Sequence, residues 1–337
     1  NGTVWVQDYQ LQLVPRLLRE LRPDLKIGFF LHIPFPPPEL FQQLPWRQAI
    51  LRGLTGADLV GFQVPGAASN FLRLVRGRLG FETRRNEFVR PDGTRGYAGA
   101  YPISIDARAF QELANQPETI ARAEQIREDL GAETIFLGVD RLDYTKGLRQ
   151  RVRAFGELFH SGALDQENAV FVQVATPSRE RVEEYKRLRD DIELLVGRIN
   201  GEAGRIARSP IHYLHASFPR QEMAALYRAA DVMVVTPLRD GMNLVAKEYV
   251  ACRSEENGAL VLSEFAGAAR ELKQAWLVNP YDINDMKLAI LEASQSSEKE
   301  KRRRMRTLRR QVFTHDINRW AAAFLKDLGV ETTTAAD

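Results

Sequence analysis

Short apolar runs rich in β-branched and aromatic side chains recur along the chain at 3–6, 26–31, 59–63, 134–139, 169–174, 211–214, 232–235, 259–262 and 276–278. Runs of this length, apolar on successive positions, predict strands buried on both faces. Between them lie stretches of helical period at 11–21, 66–78, 148–160, 178–200, 220–230 and 242–252, with Pro and Gly at the joins. Strand alternating with helix predicts an α/β fold of parallel sheets covered on both faces. The pattern changes at 81–101, where residues alternate about Pro91-Asp92-Gly93 and predict a β-hairpin. A polar helical stretch follows at 106–130, and a fresh series of strands opens at Thr134. A domain boundary is therefore expected at 104–106. The second series has about six strands, enough for a doubly wound sheet, whereas the first has three and a hairpin and reads as lacking its beginning.

A chain of 337 residues accommodates such a pair of domains. The net charge of +3 depends on eight basic and one acidic residue at 299–310, without which the chain would be net acidic. No aromatic residue interleaves with that run, and it merges into an amphipathic pattern at Val312, Ile317, Trp320 and Phe324. A solvated helix is expected there rather than a nucleic-acid surface. The single Cys252 excludes an internal disulfide, and five scattered histidines offer no metal-ligand spacing, so neither metal nor cofactor is expected. With no membrane span or targeting segment in the sequence, a cytoplasmic protein with no membrane partner is expected. The chain opens at Asn1 without an initiator Met and reads as a fragment; the Asn1-Gly2-Thr3 sequon is taken as chance.

In doubly wound sheets ligands bind at the carboxyl ends of the strands. The residues there are Asp8, His32, Asp140-Arg141, Phe218 and Asp240-Gly241. Neither GxGxxG nor GxxxxGK[ST] occurs, which disfavours dinucleotide oxidoreductases and P-loop nucleotidases. In VVTPLRDGMNLVAKEYVACR a strand ends, the chain turns at 237–241 and a helix is expected from Met242. Free amides and the helix dipole there favour a phosphate, while Asp240 and Glu248 suit hydroxyl groups. The plainer reading makes Asp240 an ordinary N-cap. In GVDRLDYTKGLRQRVRAF, Arg141 and Lys146 are spaced to clamp a diphosphate, unless Arg141 merely pairs with Asp140 or Asp143. His32 leaves its strand into a loop stiffened by Pro34, Pro36, Pro37 and Pro38, and is either a pre-organised site residue or a core histidine. Asp8 suits acceptor hydroxyls or caps the next helix. Arg198 in LVGRINGEAG is a phosphate ligand or a surface charge, and its position does not choose between them.

Taken together, VWVQDYQLQLVP, HIPFPPPELF, DLVGFQ, YPISID, GVDRLDYTKGLRQR, GRINGE and TPLRDGMNLVAKEYVACR resemble glycosyltransferase family 20 over nearly the whole chain. The resemblance implies a GT-B architecture, two Rossmann-like domains facing across a cleft, the first incomplete. Residues 1–105 would belong to the acceptor domain, 106–310 to the nucleotide-sugar domain, and 311–330 to a helix crossing back. The implied reaction is α-retaining transfer of glucose from a nucleotide sugar to glucose 6-phosphate, giving trehalose 6-phosphate by front-face attack without a protein nucleophile. The resemblance assigns the donor diphosphate to Arg141 and Lys146, and the nucleotide to Leu244, Val245, Ala246, Lys247 and Glu248, with Glu248 on the ribose. Phe218 would lie beside the base. Asp240 and the backbone of Gly241, Met242 and Asn243 would hold the donor glucose. His32 would contact that sugar near its anomeric carbon, and Asp8 and Arg198 would bind glucose 6-phosphate. Family members carry about a hundred further N-terminal residues, so this chain alone is expected to be inactive or weakly active. Relatives using glycerol 3-phosphate, pseudo-glycosyltransferases and a non-catalytic nucleotide-sugar-binding subunit remain alternatives. The nucleobase and the oligomeric state, a homo-oligomer included, stay open.

Overall fold

The computed structural model describes residues 2–206 and 208–330. Two compact units emerge, Asn1–Ile103 with Ile317–Asp337, and Ser104–Asp316. In the first, β1 (Thr3–Gln7), β2 (Lys26–Phe30), β3 (Leu59–Phe62), β4 (Glu82–Arg84), β5 (Glu87–Val89) and β6 (Arg95–Ala100) form one sheet ordered β1-β2-β3-β6-β5-β4. The pairs among β1, β2, β3 and β6 are parallel; β4 and β5 add antiparallel. The expected hairpin closes through Pro91-Asp92-Gly93, with Gly93 at φ +83° and Asp92 Oδ1 accepting from the Thr94 amide at 2.9 Å. Its second strand, RGYAGA, also pairs with β3 at the heart of the sheet. That pairing depends on small residues: a Cβ on Gly96 would stand 2.3 Å from the Phe88 ring.

One face of this sheet buries Ile27, Phe29, Phe62, Phe71 and Phe88. The other packs Phe30, Leu59 and Tyr101 against Phe324 and Leu328. The Phe324 ring replaces side chains at two strands, since a Cβ on Gly28 or Gly61 would lie 2.7 or 2.6 Å from it. Trp320, on the same helix Ile317–Asp327, donates its indole N–H to the Tyr101 carbonyl at 3.1 Å. The closing helix therefore supplies one layer of the first unit.

The second unit contains β7 (Thr134–Arg141), β8 (Ala169–Thr176), β9 (Ile211–Leu214), β10 (Val232–Val235), β11 (Ala259–Ser263) and β12 (Trp276–Val278). They form a parallel sheet ordered β12-β11-β10-β7-β8-β9. The order reverses between β7 and β10, the switch point at which a doubly wound sheet opens a ligand crevice. The basic run belongs to the helix Glu298–Thr314. That helix continues past 310, so the chain leaves this unit after Asp316 rather than at the position marked from sequence. Three of its arginines make contacts within this unit: Glu300 accepts from Arg303 and Arg304 at 2.7 and 2.8 Å, Arg309 reaches the Ala251 carbonyl at 2.7 Å, and Arg304 lies 4.2 Å over Trp276. No helix among the described residues is long and apolar enough to cross a membrane.

Candidate functional site

At the switch point β7 ends in Arg141, and Asp143 folds the following loop by accepting from the Thr145 amide and hydroxyl at 2.9 and 2.7 Å. Gly147 follows at φ +66°, so close to the segment after β10 that a Cβ would stand 2.2 Å from the Thr236 carbonyl oxygen. Both requirements exclude a side chain there. The Leu238 amide donates to the Thr145 carbonyl at 2.7 Å, tying the two loops together. Across this seam Lys146 Nζ donates to Asp240 Oδ2 at 2.5 Å. Asn243 sits at φ +75°, caps the helix Leu244–Cys252 through the Ala246 amide, and donates to Asp240 Oδ2 at 3.2 Å. The helix thus starts at Leu244 rather than Met242, and Asn243 performs the capping that the plainer reading gave to Asp240.

Beneath the loops Arg151 is fully buried. Its guanidinium donates to Asp140 Oδ2 at 2.6 Å, Gln173 Oε1 at 2.9 Å, Thr236 Oγ1 at 2.9 Å and the Lys146 carbonyl at 3.3 Å. One side chain so joins the ends of β7, β8 and β10 to the loop carrying Lys146. Burial pushes the Asp140 carboxyl upward against the pull of Arg151 and Lys146.

The Arg141 side chain is exposed and makes no hydrogen bond or ion pair among the described residues, although its charge helps hold the Asp143 carboxyl low. The carboxylates it was weighed against take their hydrogen bonds elsewhere, Asp140 from Arg151 and Asp143 from Thr145 and the Tyr185 hydroxyl at 3.2 Å. Arg179 follows β8 at φ +48° and donates to Tyr185 Oη at 2.9 Å, which brings a further cation to this rim.

Beside the switch point Phe218, Arg220, Leu244 and Glu248 line a cavity of about 300 Å³ with Ser104 and Phe110. Glu248 Oε2 accepts from the Tyr227 hydroxyl at 2.8 Å, and burial pushes the Glu248 carboxyl upward. Two expectations need correction. Lys247 turns inward, almost wholly buried, and pairs with Glu271 at 2.7 Å, so its ammonium faces the core and not a ligand. Arg198 lies at the other end of the sheet, two residues before Asn200, whose side chain holds both backbone groups of Ile211 at the start of β9. It lines a separate cavity of about 460 Å³ with Arg153, His160 and Lys287. The structure does not bring Arg198 together with Arg141, Lys146 and Asp240.

In the first unit Asp8 follows β1 at φ +69°, a conformation costing about 1–3 kcal/mol in a non-glycine residue. Its carboxylate accepts from the His32 amide at 3.2 Å and makes no cap bond to the turn that follows. The His32 ring is half-buried, edge-on to Phe30 at 4.8 Å, with Nε2 2.8 Å from Gln7 Oε1. Burial lowers its pKa, opposed by Asp8. At neutral pH the imidazole is therefore uncharged, with its proton on Nε2 toward Gln7 and a lone pair on Nδ1.

Reading by motif missed Arg151, Arg179 and Tyr227. A signal existed for Arg151: it shares helical spacing with Leu148, Val152 and Phe155, which places it on the buried face.

The model of the family described as glycosyltransferase family 20 matches residues 1–329. The trehalose-6-phosphate synthase of Mycolicibacterium paratuberculosis is 58% identical over 338 aligned positions, covering 97% of this chain and 68% of the relative. A solved alpha,alpha-trehalose-phosphate synthase (UDP-forming) from Burkholderia xenovorans, in complex with glucose-6-phosphate, superposes with TM-score 0.92 at 36% identity, covering 97% of this chain and 72% of that one. A structure from E. coli bound with UDP-2-fluoro glucose superposes with TM-score 0.93 at 36% identity, covering 98% and 73%.

Proposed function

Because the chain belongs to glycosyltransferase family 20, we propose that it transfers glucose, with retention of configuration, from UDP-glucose to glucose 6-phosphate and so forms trehalose 6-phosphate. The relatives' names and the ligands of the solved neighbours support both substrates. The observation that carries the reading is the seam between the β7 and β10 loops. There the Lys146 ammonium meets the turn holding Asp240 and the exposed Arg141 ends β7, while Phe218 and Glu248 line a cavity at the start of the helix that follows that turn.

In this reading the cavity takes the nucleoside, with Glu248 accepting from the ribose hydroxyls and Phe218 beside the base. Arg141 and Lys146 hold the diphosphate, and Asp240 with the backbone of Gly241, Met242 and Asn243 holds the glucose. The bond from the anomeric carbon to the diphosphate oxygen breaks with its electron pair passing to the diphosphate, whose growing charge the two cations neutralise. The acceptor hydroxyl bonds to the same face of the anomeric carbon and gives its proton to the departing phosphate oxygen. In the first unit, Asp8 accepts from acceptor hydroxyls and neutral His32 offers Nδ1 to a sugar hydroxyl. Arg179, rather than Arg198, is the cation proposed for a phosphate at the rim of the second unit. The proposed setting is the cytoplasm.

The test is a long incubation of the chain with UDP-glucose and glucose 6-phosphate, followed by NMR and mass spectrometry. UDP and a non-reducing α,α-linked disaccharide phosphate are expected, if slowly. Transfer to glycerol 3-phosphate in preference, or UDP release no faster than without acceptor, would overturn the reading.

A further inference from the structure

Behind Glu248 in the nucleoside cavity lies a hydroxyl that has no part in the reaction as proposed, that of Tyr227. The ring is 1% exposed, on the helix Arg220–Ala229, edge-on to Tyr249 at 6.5 Å. The hydroxyl donates to Glu248 Oε2 at 2.8 Å, and no other hydrogen bond to this carboxylate forms among the described residues. Glu248 itself lies along the cavity wall with Phe218, Arg220 and Leu244. We propose that Tyr227 is a positioning residue for ribose recognition: by holding Oε2 it presents Oε1 of Glu248 to the ribose hydroxyls. The proposal rests on the reading that Glu248 meets the ribose.

The physical reason is entropic and electrostatic together. A glutamate carboxylate without a fixed partner loses rotamer freedom when it binds, and a partner that holds it beforehand removes that cost. Desolvation at this depth favours the neutral acid, which a hydroxyl donor opposes. Only the ionised form offers acceptors alone to a sugar hydroxyl. Removing the phenol oxygen should therefore weaken the ribose contact and leave the base and diphosphate contacts as they were.

The experiment is calorimetric titration of UDP and 2′,3′-dideoxy-UDP into the full chain, its Tyr227→Phe and Glu248→Gln variants, and the double variant. Tyr227→Phe keeps the ring and its packing against Tyr249. The parent should prefer UDP by about tenfold or more, the size of charge-assisted hydrogen bonds. Tyr227→Phe should shrink that preference by roughly three- to tenfold, the cost of ordering one flexible side chain. The loss should fall on UDP, with dideoxy-UDP unchanged within about twofold, and Tyr227→Phe should add nothing once Glu248→Gln is present. If Tyr227→Phe weakens both nucleotides alike, or leaves the preference intact, the positioning role is wrong while the ribose reading survives. If the parent shows no preference, or binds neither nucleotide, the ribose reading falls and the proposal with it.

Discussion

Replacing Arg151 with Met tests how the switch-point loops are held. Methionine retains an apolar stem and removes every donor that Arg151 supplies to Asp140, Gln173, Thr236 and the Lys146 carbonyl. Asp140, 4% exposed, is left with a buried carboxylate whose nearest remaining counter-charge is Lys146. Breaking a buried pair from one side costs about 3–5 kcal/mol. At neutral pH the second unit should therefore lose about 3–5 kcal/mol, a fall in melting temperature of roughly 10 °C. The deficit should depend on pH in a defined direction. Asp140 is already pushed above the ordinary carboxylate range, and losing Arg151 pushes it further. The folded variant then binds a proton that the unfolded chain has released, so its stability falls as pH rises between the two values. The deficit is largest at neutral pH and shrinks as pH drops toward the ordinary carboxylate range. Adding Asp140→Asn should recover part of it, because the stranded charge is gone. Urea unfolding followed by circular dichroism from pH 5 to 8 measures all of this. A deficit under about 1 kcal/mol at pH 7, or one that stays flat with pH and is worsened by Asp140→Asn, would refute the reasoning.

Phe324→Ala should destabilise the first unit by about 3–5 kcal/mol, because its ring fills the space left by Gly28 and Gly61; thermal unfolding of the chain checks this, and a loss below 1 kcal/mol would contradict it. Gly267→Ala puts a Cβ 1.9 Å from the Gly241 carbonyl and so displaces the Asp240 turn; UDP-glucose affinity should drop by tenfold or more with UDP affected less, as titration of both ligands would read. In the parent, burial raises the Glu248 carboxyl, so the preference for UDP over 2′,3′-dideoxy-UDP should fade on acidification while the pH is still above the ordinary glutamate value. A preference constant down to pH 4.5 would contradict that.

Much of this was legible from pattern, and the misses share physical causes. The apolar runs from Thr3 to Val278 marked nine strands because burial on both faces selects β-branched and aromatic residues. The strand Arg95–Ala100 escaped that signal because packing against Phe88 demands glycine at Gly96, the opposite of β propensity. At the site, Arg141, Lys146, Asp240 and Phe218 stand out because they come after strands, and Glu248 because it lies on the helix that the Asp240 turn leads into. The capping role of Asn243 was hidden by its left-handed backbone, and the inward turn of Lys247 by its ion pair with Glu271, 24 positions on. Arg198 and Arg179 are both arginines in polar stretches of helix Glu183–Ala203 and its approach, and which end of the sheet each reaches depends on where that helix begins. The expected start at 178 put Arg179 inside the helix; at Glu183 it becomes part of the rim.

The central claim is that Arg141 and Lys146 clamp the diphosphate of a nucleotide sugar in the second unit. Calorimetric titration of UDP-glucose into the chain and its Arg141→Ala variant addresses it most directly, since the exposed Arg141 side chain makes no hydrogen bond or ion pair among the described residues. The account predicts binding by the parent and a loss of about ten- to a hundredfold in the variant, with unchanged thermal stability. Equal affinity of the two proteins, or no binding by the parent, would contradict it.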